Sequence, residues 1–267
     1  MTDVGTDSRE RMRLLYDAYY DSLYYEKRYP GPNPGTLDFL LRHGAAQARQ
    51  LADVGCGSGR YAIPLLERGT QQVFACDISR AALDALAGRV QTAGLAGRVR
   101  LVLGSAESLP SPLELDCIVM MFGVLSHIAT PQARIEVLRQ LRRRAAPDAR
   151  LLLSVPSRWR RRPVELLGSF MAPGRPFGDI EYTRTILGRP QAFFYHLYTL
   201  KGLRKDLALA GWRVEAMEAE SVFPESAITR WPALGELDRI LQRGLPAALG
   251  YGIRVAARPA NEWSDES

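Results

Sequence analysis

Cysteine, histidine and lysine are scarce in this chain of 267 residues, and each shortage removes a class of explanation. The cysteines, Cys56, Cys76 and Cys117, are odd in number and sit in a glycine-rich turn and two apolar runs. A disulfide framework is therefore not expected, and a cytoplasmic setting fits. The histidines are His43, His127 and His196, and no Cys/His group has zinc-ligand spacing, so no metal is expected. No apolar run approaches the roughly 18 residues of a membrane span. The opening MTDVGTDSRERMR lacks the apolar centre of a signal peptide. Lysine occurs only at 27, 201 and 205, so arginine carries the net charge of +6. An arginine-rich composition explains that charge most simply, and an anionic partner such as nucleic acid is the alternative.

What is present is an ordinary globular composition, 46% hydrophobic and 24% charged, sufficient for one α/β domain with an appendage. Its most informative segment is Leu51-Ala52-Asp53-Val54-Gly55-Cys56-Gly57-Ser58-Gly59. It reads as a short strand, a turn with glycines at alternate positions, and a helix from about Arg60. Glycine lets a backbone turn where a Cβ would obstruct and approach a ligand closely, and a following helix aims free N–H groups at that ligand. A second strand, 72–76, is closed by Asp77, roughly 20 residues past the glycines, where a carboxylate meets the hydroxyls of a nucleoside ribose.

DVGCGSGRYAIPLL followed by FACDIS resembles the class I S-adenosylmethionine-dependent methyltransferases, and the likeness continues through 98–109, 115–128, 137–155 and 198–214. The resemblance implies S-adenosylmethionine as methyl donor. Asp53, Gly55, Cys56, Gly57 and Gly59 would line its methionine moiety, and Asp77, with Ile78, its ribose. Ser105, Ala106 and Glu107 would meet the adenine, with Phe122 beyond the fourth strand; Tyr16 and Tyr20 would close over the donor from the N-terminal helices. One departure is Ser105, which stands where such enzymes carry an adenine-binding Asp, and accepts a hydrogen bond without charge. Another is Pro147-Asp148-Ala149 in place of the usual turn before the fifth strand.

Strands alternating with helices predict an α/β fold: a doubly wound, mostly parallel seven-stranded sheet of methyltransferase type. Beyond 72–77, strands are expected at 99–103, 117–121, 151–155, 212–218 and 251–257. Asn33, Ser79, Thr130 and Thr199 read as helix caps. Residues 1–34, crowded with tyrosines, form an N-terminal helical cap; 35–156 form the donor-binding core. Residues 157–197, rich in arginine and aromatics, insert after the fifth strand as a substrate lid, with Arg158 and Tyr195 as candidate acceptor contacts. Residues 198–258 complete the sheet around a helical insertion at 221–250 packed beside the lid, and 259–267 form a disordered tail.

Methyl transfer from a sulfonium needs alignment and exclusion of water more than elaborate catalysis. For an alcohol or phenol acceptor a general base helps, and His127 and His196 are its candidates. The expected function is methylation of an O or N atom of a small molecule in a biosynthetic or tailoring pathway. The alternatives are a tRNA methyltransferase of the wobble carboxymethyluridine type, whose motifs the tyrosine-rich segment and FFYHLYT at 193–199 resemble, and a donor-binding protein or cyclase that transfers no methyl.

Overall fold

A computed structural model describes residues 4–171, 177–186 and 188–261. Arg175, the side chain of Phe170 and the tail beyond 261 lie outside the described residues.

Strands β1 (Gln50–Val54), β2 (Gln72–Asp77), β3 (Val99–Leu103), β4 (Leu115–Met120) and β5 (Ala145–Pro156) run parallel in the order β3-β2-β1-β4-β5. Helices α4 (Ala62–Glu67), α5 (Arg80–Thr92) and α6 (Pro131–Arg143) connect them. α8 (Leu200–Leu209) leads into β8 (Trp212–Glu220), which takes the outer edge. β9 (Gly252–Pro259) returns antiparallel between β8 and β5, completing seven strands. The alternation within each strand explains why both faces are covered. Leu51, Val73, Cys117 and Leu152 pack on one side, and Ala52, Phe74, Ile118 and Leu151 on the other. Strands buried on both faces read as continuous apolar runs, the signature of a parallel sheet.

Two expected elements start elsewhere, and tertiary contacts place the insertion at 221–250. α4 spans six residues and begins at Ala62 rather than Arg60, so the turn before it, not a helix dipole, presents the backbone N–H groups. β5 begins at Ala145, with a register shift between the Leu115–Ala145 and Cys117–Arg150 pairings. Pro147-Asp148-Ala149 is thus an irregularity inside the strand. The insertion at 221–250 holds α9 (Glu225–Ile228) and α10 (Pro232–Leu241), and α10 packs on α3 (Pro34–Arg42) while residues 242–249 pack on β8 and β9. There the Asn33 side chain caps α3 and donates to Ser221 Oγ and Glu225 Oε2 at 2.9 and 2.8 Å. Its far end does reach the turn after β5, where Ser157 Oγ donates to the Ala248 carbonyl.

At the N-terminus, α1 (Val4–Asp21) and α2 (Tyr24–Arg28) lie over the carboxyl ends of β1 and β2. Asp17 anchors α1 to the start of α5 by accepting from Ser79 Oγ at 2.7 Å and Ala81 N at 3.3 Å. After β5 come α7 (Pro163–Met171) and a two-stranded hairpin, β6 (Asp179–Ile186) paired with β7 (Arg189–His196). Ile180, Tyr182, Ile186, Phe193 and Tyr195 point from the hairpin into a cluster with Met12, Leu15, Tyr19 and Tyr25 of α1 and α2.

Trp212 is 1% exposed and donates its indole N–H to the Leu138 carbonyl at 2.9 Å, tying β8 to α6. Trp212→Ala is expected to cost about 3–5 kcal/mol of stability, read by urea unfolding; a loss under about 1 kcal/mol would contradict the packing described.

Candidate functional site

The chain reverses its winding between β1 and β4, and ligands of such sheets lie beyond the strand ends at that switch point. Gly55, Gly57 and Gly59 all have positive φ, of 73°, 53° and 83°, a conformation side chains resist. The Gly55 and Cys56 N–H groups both donate to the Cys76 carbonyl, at 2.7 and 3.1 Å, which pins the turn to β2. Space is also restricted: a Cβ on Gly55 would meet Val124 at 2.3 Å, and one on Gly57 would meet the Tyr20 hydroxyl at 2.1 Å.

Above this turn lies a cavity of about 660 Å³. Tyr16, Tyr20, Gly55, Asp77, Ile78 and Ser105 line it, as do Ala106, Phe122 and His127. Asp77 accepts the Gly57 N–H on Oδ2 at 2.8 Å and the Ser79 N–H on Oδ1 at 2.9 Å. Each oxygen keeps a further lone pair, which suits a vicinal diol. Burial pushes the Asp77 carboxyl up to about 6, with these backbone donors pulling it back. Beneath the turn, Asp53 is pushed up to about 7, first by burial and then by the charge of Asp77. Asp53 Oδ2 and Ser105 Oγ are buried without a hydrogen-bond partner. A bare backbone cradle, a diol acceptor and two unanswered polar oxygens fit an adenosyl ligand with a cationic end.

Residues 51–148 match a family described as a methyltransferase domain. Residues 51–148 are thus similar to a methyltransferase domain, carried on a fold of the Rossmann-like kind. It is 28% identical over 164 residues to methyltransferase GfsG of Streptomyces halstedii, covering 57% of each chain. To the tRNA 5-carboxymethoxyuridine methyltransferase of Escherichia coli K12 it is 29% identical over 103 residues, 38% of this chain and 39% of that one. It thus spans little more than half the length of the first and less of the second. Among solved structures, the 1,6-didemethyltoxoflavin-N1-methyltransferase of Burkholderia thailandensis superposes with a TM-score of 0.64 at 19% identity, covering 98% and 92% of the two chains. That likeness speaks to the fold.

Of the three histidines, His127 is the one that lines the cavity. Its Nδ1 lies 2.9 Å from the Phe194 carbonyl, which only accepts, so Nδ1 carries the proton. Nε2 then offers its lone pair, and the Tyr16 hydroxyl donates to it at 3.0 Å. Burial drives His127 down to about 3, with Arg184 and Arg161 adding to the effect, so it is neutral at physiological pH. Among the expected site residues outside the cavity lining, Cys56, Gly57 and Gly59 form the turn itself, and Glu107 is exposed on a 3₁₀ turn. His196 is held at the base of the hairpin by the Asp179 carboxylate on Nδ1, sets its ring edge-on to Tyr198 and does not line the cavity. Arg158 donates to the Leu197 and Phe177 carbonyls and covers the Phe177 ring, which makes it a brace at the base of the hairpin. Tyr195 stands behind His127, its ring centroid 4.7 Å from the imidazole.

Sequence reasoning missed Met12, Tyr25, Ile128 and Thr130 on the cavity wall. It also missed Arg60, which follows the last glycine of the turn. Arg60 is 6% exposed, salt-bridges Glu225 at 2.5 Å and donates to the Gly31 carbonyl at 2.7 Å, so it joins the glycine turn to the 221–250 insertion. A charged residue directly after the third glycine was the available signal.

The two raised carboxyls fix a pH dependence. Asp53 holds its proton more tightly folded than unfolded, so its contribution to stability is present at low pH and lost as pH climbs from 3.8 to about 7. Asp53→Asn removes that loss, so the variant should gain stability relative to the parent over this interval, by up to about 2 kcal/mol. Thermal unfolding across pH measures it, and parallel curves would contradict the assignment.

Proposed function

We propose that this chain is an S-adenosylmethionine-dependent methyltransferase acting on an O or N atom of a small molecule. The observation that carries the reading is the Asp77 carboxylate, locked by the Gly57 and Ser79 N–H groups on the wall of a cavity that also holds the Tyr16–His127 pair. Asp77 would hold the ribose diol, Ser105 Oγ the adenine amino group, and the Gly55–Gly57 backbone the methionine moiety. When bound, S-adenosylmethionine supplies an electrophilic methyl group together with its own leaving group. The chain's part is to align the acceptor and keep water out, a task for Tyr16, Tyr20, Tyr25 and Phe122 on the cavity wall. His127 Nε2 orients an acceptor hydroxyl or amine and takes up its proton, with Tyr16 holding the site when the acceptor is absent. The hairpin β6–β7 serves as lid, its Phe194 carbonyl fixing the His127 tautomer.

A second reading, tRNA methylation, draws on an exposed groove of about 390 Å³ lined by Lys27, Arg28, Arg230, Tyr24 and Trp231. Cations beside a ring 64% exposed suit phosphate and a stacked base. Incubation with methyl-labelled donor separates the two: label in a small-metabolite extract is expected, and label only in bulk tRNA, falling steeply with salt, would overturn the leading reading.

Two substitutions test the roles. Asp77→Ala should weaken donor affinity by about 1.5–3 kcal/mol, and calorimetry showing unchanged affinity would remove Asp77 from the site. His127→Ala should lower kcat about 100-fold while donor affinity stays as it was; full activity would exclude His127 as base.

A further inference from the structure

The N-terminal helices and the lid hairpin enclose a second cluster for which the reaction as described has no use. Arg184, on β6, donates to the Tyr19 hydroxyl at 3.2 Å and lies 5.1 and 5.9 Å from the ring centroids of Tyr182 and Phe193. Arg161, in the turn after β5, lies 5.9 Å from the ring of Tyr195 and 5.7 Å from that of Tyr251. Neither guanidinium has a carboxylate partner among the described residues. A third cation, Arg162, sits 4.1 Å from the same Tyr182 ring, and Glu165 answers its charge at 2.7 Å. The acid that Arg161 feels, Glu220, is bound instead by the Thr36 hydroxyl at 3.3 Å.

A half-buried guanidinium with no carboxylate partner keeps charge-assisted donors available to an anion, which ring faces do not satisfy. Two of them share the neighbours Tyr182 and Tyr29. The Tyr182 and Tyr195 rings lie 5.5 Å apart and Tyr195 lies 4.7 Å from the imidazole of His127, so the cluster borders the cavity rather than a remote surface.

We propose that Arg161 and Arg184 form the anion subsite for the methyl acceptor, which carries a carboxylate on a planar aromatic frame. The guanidiniums hold the carboxylate through charge-assisted hydrogen bonds, and the frame lies in the cavity against Tyr16, Tyr25 and Phe122. This rests on the methyltransferase reading and extends it to the acceptor's chemical class.

Benzoate and its neutral counterpart benzamide are the probes, titrated calorimetrically into the full chain at low salt, with and without saturating S-adenosylhomocysteine. Benzoate should bind about ten-fold more tightly than benzamide. Arg161→Met and Arg184→Met should each remove that preference, with the lysine variants intermediate and S-adenosylhomocysteine affinity unchanged. Equal binding of the two probes overturns the subsite, as does a benzoate preference that survives both substitutions in variants folded by circular dichroism. Should a variant fail to fold, loss of the parent's benzoate preference with added salt supports the subsite, and a salt-insensitive preference overturns it. Benzoate binding without S-adenosylhomocysteine binding would contradict the methyltransferase reading alone; the reverse result would contradict the subsite alone.

Discussion

One carboxylate, Asp77, holds the site together. By accepting the Gly57 and Ser79 N–H groups it fixes the glycine turn after β1 to the end of β2 and the start of α5. Ser79 in turn donates to Asp17, so α1 is fastened to the same point. The strained turn, the helix cap and the N-terminal helix therefore share one anchor, and the cavity between them inherits its shape. Asp53, buried close by with one oxygen unanswered, adds a second acidic group that the folded chain pays to keep there.

Charge is distributed unevenly around the cavity. Beneath the turn the titrating groups are the carboxyls Asp53 and Asp77, whereas the lid side presents Arg161 and Arg184 among tyrosine hydroxyls. A cationic donor on the acidic side and an anionic acceptor on the basic side is the arrangement those two surfaces favour. His127 stands where they meet, its tautomer set by a carbonyl of the lid hairpin.

The glycine turn and the carboxylate beside it were legible in the sequence because they are local. Three glycines at alternate positions need positive φ, and a carboxylate at the end of the next strand needs only strand spacing to be placed. The strands were legible because residues such as Val73 to Cys76 and Ile118 to Met120 are apolar on both faces. The lid was harder to read. Its alternation, Ile180, Tyr182 and Ile186 facing inward with Glu181, Thr183 and Thr185 outward, is a hairpin signal hidden by aromatics and arginines that also suggest a loop. His196 and Arg158 are candidates by type and position. Only tertiary contact reveals that Asp179 and two backbone carbonyls occupy them. The docking of 221–250 on α3 depends on Asn33 reaching Ser221 and Glu225 across the chain, a pairing no local pattern encodes.

A crystal structure grown with saturating S-adenosylhomocysteine tests the central claim most directly. The account predicts both ribose hydroxyls on Asp77, the adenine amino group on Ser105 Oγ, and the homocysteine portion along the Gly55–Gly57 backbone. An empty cavity at saturation, or a nucleoside bound elsewhere with Asp77 still facing only backbone, would contradict it.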